Sequence, residues 1–199
     1  SLAKASGHHV VGMQDELSIM GIVGHRDAVI DGVTVDVKSA SPYSFAKFKG
    51  GELREPGRDP FGYISQLSSY VHAGHQADPE GVDPNLGAFL VADKVSGEIC
   101  LDMYNVSAEI ATKEEAFAKT IEMAGKDTPP PRDFEPEDDG YKHKTKGFVS
   151  NGNKVLPMVC SYCEMKHKCH PGLRTFVGSG RPKFMTKVVK VPRMHEVTK

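Results

Sequence analysis

No run of about 18 apolar residues occurs anywhere in the 199-residue chain, so no segment reads as a membrane-spanning helix. There is no internal repeat, which sets aside repeat arrays. Cysteine is scarce, at four residues. With no secretory signal in the sequence, those thiols are expected to stay out of disulfides and the protein to work in the cytoplasm. Net charge is also nearly absent: 25 Lys and Arg against 26 Asp and Glu give -1. That balance alone points to no polyanionic partner, but its distribution does. From Tyr141 to Lys199 there are 13 basic residues and two acids, Glu164 and Glu196, a net of +11. Residues 1–140 carry the other 12 basic and 24 acidic residues, a net of -12. Such asymmetry suggests a nucleic-acid-facing tail on an acidic body. Lysines that merely keep a C-terminal extension soluble are the plainer reading. At 39% hydrophobic content the chain can bury an ordinary core.

The most informative stretch runs from Gly24 to Lys38. Asp31-Gly32 lies between two β-branched runs, the signature of a two-residue type I′ hairpin. With those two residues as the loop, Ile30 pairs with Val33 and Val29 with Thr34. Continuing outward sets Asp27 opposite Asp36 and His25 opposite Lys38. Alternation puts Val33, Val35 and Val37 on one face and Thr34, Asp36 and Lys38 on the other. Two facing carboxylates, with Cβ atoms about 4.5–5.5 Å apart, repel unless a positive charge lies between them. A hard divalent cation such as Mg²⁺ or Mn²⁺ suits such oxygen donors, and Lys38 projects toward the same spot. An exposed sheet face with a salt bridge is the plainer alternative.

Further on, Asp59 and Pro60 mark a helix start, as N-cap and first helical residue. In that helix Ile64, Leu67 and Val71 share one side, and Gln66 and Tyr70, four apart, share another. Taken together and in this order, Gly24-x-x-Asp27, Asp36-x-Lys38 and Gln66-x-x-x-Tyr70 resemble the RecB-like nucleases of the PD-(D/E)xK superfamily, over about residues 21–105. The resemblance implies a restriction-endonuclease-like α/β fold, a mixed sheet flanked by helices. It implies Asp27, Asp36 and the Val37 carbonyl as metal ligands and Lys38 as the catalytic lysine. Gln66 and Tyr70 correspond to the family's helix motif near the DNA end.

Cys160, Cys163 and Cys169 form C-x-x-C-x₅-C, a spacing that suits thiolate ligation of zinc or an iron–sulfur cluster. The triplet resembles the C-terminal cysteines of the CRISPR-associated and AddB-type iron–sulfur nucleases, which implies a 4Fe-4S cluster, with Zn²⁺ as the alternative. The family's first cluster cysteine precedes the nuclease core. Here the only other cysteine, Cys100, sits in what reads as an inner strand and is assigned to the core. His167 or His170 is the substitute fourth ligand, unless that ligand was lost from the N-terminus. The family also carries a helical histidine or acid upstream of Gly-x-x-Asp. His8, His9 and Glu16 are the residues available, and an N-terminal helix missing from the chain is expected.

Coarsely, residues 10–20 read as a strand, 22–30 and 33–39 as the site hairpin, and 47–58 as a charged, Gly-rich loop bordering the substrate channel. A helix over 60–73, a hairpin of 88–94 with 98–104, and a helix over 107–124 follow. A nuclease core over 1–125, a Pro-rich acidic linker over 126–140 and a basic cysteine-bearing segment over 141–199, packed on the core, complete the layout. The function these readings imply is a metal-dependent DNA exonuclease acting on single- or double-stranded ends, in the host cytoplasm if phage-encoded. A non-catalytic, zinc-clipped DNA-binding module with a vestigial site is the alternative.

Overall fold

The computed structural model describes residues 2–127, 131–132 and 134–197. Two compact units divide near Thr128, a first of residues 1–128 and a second of 129–199. The chain begins with a short helix α1 (Leu2–Ala5), then β1 (Val10–Val11), β2 (Glu16–Ile19), β3 (Ile22–His25), β4 (Ala28–Ile30) and β5 (Val33–Ala40). Helix α2 (Pro42–Lys49), a 3₁₀ turn (Glu52–Arg54) and helix α3 (Tyr63–Ala77) lead to β6 (Leu86–Asp93) and β7 (Ile99–Asn105). Helices α4 (Ser107–Ala111) and α5 (Lys113–Ala124) close the first unit.

Its main sheet has the order β1-β4-β5-β6-β7. Only β5 and β6 run parallel; the other pairs are antiparallel, so the sheet is mixed. The single parallel pair needs a long crossover, and the helical segment from α2 through α3 supplies it. The Asp31-Gly32 turn is as read from the sequence. Both residues have positive φ (50° and 84°), as type I′ requires, and Ile30 pairs with Val33, Val29 with Thr34 and Ala28 with Val35. The His8 imidazole meets the Asp31 carboxylate at 2.6 Å and holds its pKa below the usual range.

One face of this sheet carries the core. Phe45 and Phe48 of α2 and Leu67 and Val71 of α3 bury against Phe89, Val91 and Tyr104 of the sheet. Phe89 is at the centre, edge-on to Phe48 (5.4 Å between centroids) and Tyr104 (5.5 Å). Thr34 and Asp36 point to this helix-covered face and are buried, whereas Val37, on the other face, is half exposed. The polar face of β5 is therefore the inner one.

Three sequence-based expectations need correction. Residues 22–30 are not one strand. Met20 and Gly21 take positive φ and close a second tight hairpin, β2–β3, which is a separate two-stranded sheet. His25 consequently pairs with Glu16 rather than facing Lys38. Second, the stretch 47–58 is not an open loop. Ser41 caps α2 by accepting from the Ser44 N–H, Pro42 starts the helix, and Phe45, Phe48 and Leu53 bury. Arg54 then pairs with the buried Asp102 carboxylate at 3.0 Å and lies 4.3 Å over the Tyr104 ring. Third, β7 is an edge strand rather than an inner one, although Cys100 does pack on the core and burial raises its pKa.

The second unit comprises β8 (Glu137–His143), β9 (Gly147–Val155), helices α6 (Met158–Tyr162) and α7 (Lys166–Cys169), β10 (Arg174–Val177), β11 (Lys183–Lys187) and β12 (His195–Val197). They form an antiparallel sheet of order β12-β10-β11-β9-β8. The expected linker over 126–140 thus ends early, since Asp138, Asp139 and Gly140 are strand; Thr128, Pro129, Pro130 and Asp133 lie outside the described residues. Burial pushes the Asp139 carboxyl up, but hydrogen bonds from Lys183 (2.6 Å) and Asn151 (2.8 Å) outweigh it and hold the pKa low. Fully buried Asn153 accepts from the Val189 and Lys190 N–H groups and donates to the Lys190 carbonyl, tying the β11–β12 connection to β9. Among the described residues no helix is long and apolar enough to cross a membrane.

Candidate functional site

The β4–β5 ladder ends at Ala28 and Val35. Just past it the chain bends, and Asp27 turns its carboxylate onto the next strand: Oδ2 accepts from the Val37 N–H at 2.7 Å. Oδ1 accepts from the Gln14 side chain at 2.9 Å. In an extended strand the N–H and C=O of one residue leave toward the same neighbour, so the Val37 carbonyl also faces the Asp27 side. Asp36 is 6% exposed and carries an Oδ2 with no well-aligned hydrogen bond. The Lys38 ammonium lies 2.6 Å from that oxygen. Burial pushes the Asp36 pKa up; Lys38 pulls it down, Asp27 pushes it further up, and the net shift is upward. Lys38 continues to α3, donating to the Gln66 Oε1 at 3.3 Å and lying 5.1 Å over the Tyr63 ring.

The chain therefore brings Asp27, Asp36, Lys38 and Gln66 into one connected group. Tyr70 lies one turn beyond Gln66, against Gly24 and beside the buried Leu17, Ile19 and Ala73. A Cβ at Gly24 would fall 3.0 Å from the Tyr70 ring. This close approach explains glycine there without any special backbone angle. Gly24→Val is expected to push the Tyr70 ring out of place. If Tyr70 positions substrate, activity should fall about tenfold or more while the thermal midpoint moves little; unchanged activity would detach Tyr70 from the site.

Asp59 donates no turn to α3 itself. Gly62, with φ 69°, is the N-cap, and the Asp59 carboxylate accepts from the Tyr63 and Ile64 N–H groups at 2.9 and 2.8 Å. Asp59 is therefore not the N-cap read from the sequence and Pro60 is not helical: the helix starts at Tyr63, and Asp59 serves its first turn only by accepting from those two N–H groups.

Three contributors were not legible in the sequence. Tyr63 stands three residues before Gln66, so a Tyr63-Gln66-Tyr70 stripe at helical spacing was the available signal. Gln14 comes from an irregular loop and left none. Arg26 is buried next to Asp27, in the gap left by Gly12 and Gly74, and bonds Asp15 at 3.0 Å. Its role follows only from the bend between β3 and β4. The upstream candidates lie elsewhere: His8 is spent on Asp31, and Glu16 is an exposed partner of His25. His72 meets Glu114, and His75 meets the Val82 carbonyl.

The donor set fits a hard cation in kind. Two carboxylates are pressed together, one of them buried, and a backbone carbonyl is aimed at the same edge. The thiols fit less closely. Cys160, Cys163 and Cys169 form no disulfide among the described residues, and the Cys163 N–H donates to the Cys160 carbonyl at 3.2 Å. His170 is buried and its pKa lowered, first by burial and then by Arg132. Among the described residues, no three His, Cys, Asp or Glu side chains converge as a metal-binding group.

No protein-family profile matches the chain, and no curated protein resembles it significantly.

Proposed function

We propose that the protein is a divalent-metal-dependent deoxyribonuclease that hydrolyses phosphodiester bonds from DNA ends. The observation that carries this reading is the buried Asp36 carboxylate, set beside Asp27 and Lys38, with its pKa raised by burial. A fold that buries one acid under the helices with a second acid beside it tolerates electrostatic cost, and function is the common reason for such cost. Asp27, Asp36 and the Val37 carbonyl would hold Mg²⁺ or Mn²⁺. Such an ion supplies charge neutralisation at a phosphate and a bound water of lowered pKa. Lys38 orients the attacking water, or deprotonates it only after giving up its own proton to solvent, Gln66 accepts from the Lys38 amine, and Tyr70 positions the strand. The mixed five-stranded sheet supports a restriction-endonuclease-like fold for the first unit. The +11 charge of residues 141–199 supports a DNA-facing surface. Cys160, Cys163 and Cys169 are the thiolates that would hold a 4Fe-4S cluster or Zn²⁺ in the second unit.

The test is digestion of end-labelled linear DNA against a closed circle, with Mn²⁺, with Mg²⁺ and with chelator. Metal-dependent loss of the linear substrate alone is the expected result. Cleavage of both would make the enzyme an endonuclease. DNA binding without cleavage would replace the proposal with a non-catalytic binding module.

A further inference from the structure

Beside the acidic site lies a cavity of about 180 Å³ between the β2–β3 hairpin, α3 and α5. Its walls are apolar and aromatic: Leu17, Ile19 and Ile22 from the hairpin, Tyr70 from α3 and Phe117 from α5. Gln66, Ser69, Ser18 and the Tyr70 hydroxyl bring polar groups, and among the described residues no acidic or basic side chain lines it. Three properties narrow the occupant. The volume is well below the roughly 300–1,000 Å³ of a site for a drug-sized ligand, so the guest is a single small ring system. The lack of charge excludes a phosphate. The two aromatic side chains suit a flat π-surface, and Gln66 and the serines suit its polar edge.

The cavity is linked to the reacting groups through Gln66. Gln66 lines it and, through Oε1, accepts from the Lys38 ammonium at 3.3 Å. A guest there sits on the same nucleic acid strand that the acids would cut. Resting on the nuclease reading, we propose that the cavity takes one unstacked nucleobase of the bound DNA strand, so that the strand is held by an extruded base as well as by its backbone. Glycine at position 24 belongs to the same device, since it lets the Tyr70 ring form a wall.

The experiment uses single-stranded oligonucleotides of one sequence in which an abasic residue is moved stepwise from each end. Binding is read by fluorescence anisotropy with chelator present, and cleavage separately with Mn²⁺. At one position, removal of the base should weaken binding about tenfold, the size expected of one lost base–aromatic stack. Ser69→Phe, which fills the cavity from its wall, should bring intact and abasic strands to the same affinity. Phe117→Ala should do likewise by removing a wall, should Ser69→Phe fail to fold. Equal binding of the intact strand and every abasic strand by the unaltered protein overturns the proposal, as does failure to bind any of them. A base-dependent affinity without any cleavage keeps the cavity's role and removes the nuclease reading instead.

Discussion

Asp36→Asn should abolish metal-dependent DNA cleavage, by about a thousandfold or more, and at the same time stabilise the metal-free protein at neutral pH. The first effect follows if the ion and Lys38 act on the scissile phosphate together, since proton transfer alone contributes about 10²–10⁴. The second follows from linkage. Asp36 has an ordinary carboxyl pKa of 3.8 when unfolded and a higher one in the folded chain, chiefly because it is buried. The folded state therefore holds its proton more tightly. Below pH 3.8 both states are protonated and there is no penalty; as pH rises through the folded pKa, the ionised carboxylate costs stability. Asparagine keeps the shape and removes that cost. Lys38 loses a partner but keeps the Gln66 Oε1 and the Tyr63 ring. Thermal unfolding from pH 4 to 8, with chelator and with Mn²⁺, checks this. The unaltered protein should gain stability from Mn²⁺ and the variant should not. Cleavage retained by Asp36→Asn would end the assignment of Asp36 as a metal ligand.

Phe89→Ala should unfold the first unit or nearly so. Phe89 is fully buried and its ring is edge-on to both Phe48 and Tyr104. Truncation of a buried phenylalanine costs about 3–5 kcal/mol, and each aromatic pair adds about 0.5–1.5. Against a total stability of about 5–15 kcal/mol that is a large share. Denaturant unfolding of the intact chain should show the transition of the first unit moving to much lower denaturant. A transition unchanged by the substitution would mean that the helix-covered face of the sheet is not the core.

Much of the site was legible because a hairpin of two residues leaves little freedom. Asp31-Gly32 fixes the register as far as Ala28 opposite Val35, and Asp27 then comes near Asp36 just past the end of that ladder. The helical spacing of Gln66 and Tyr70 was legible for a similar local reason. What was not legible depends on departures from regularity. The β2–β3 pairing was hidden because Met20 at a positive φ is not a turn signal, and the break inside 22–30 was hidden because Arg26 and Asp27 carry no glycine or proline to mark it. Helix α2 was hidden by the charged, Gly-rich residues that follow it, although Phe45, Phe48 and Leu53 supplied an apolar face. The sheet of the second unit was hidden by short strands such as β10 and β12, whose few residues carry no period to count. Which face of β5 meets the helices was also invisible in the alternation, since Thr34, Asp36 and Lys38 fill that face while Val35, on the other, is buried as well.

The single parallel pairing of β5 with β6 has a consequence for the order in which the site's parts come within reach. Asp27 and Asp36 belong to one hairpin, so their juxtaposition has low contact order and needs only a loop closure of a few residues. Gln66 reaches Lys38 only after α2 and α3 are in place, and Phe89 seals the arrangement only once the crossover returns to the sheet. A nascent chain that has emerged only as far as Ala40 already holds both carboxylates and the lysine, yet lacks the helices that bury Asp36. The acids are assembled by the most local contacts of the fold, while their enclosure, which raises the Asp36 pKa, comes from the least local.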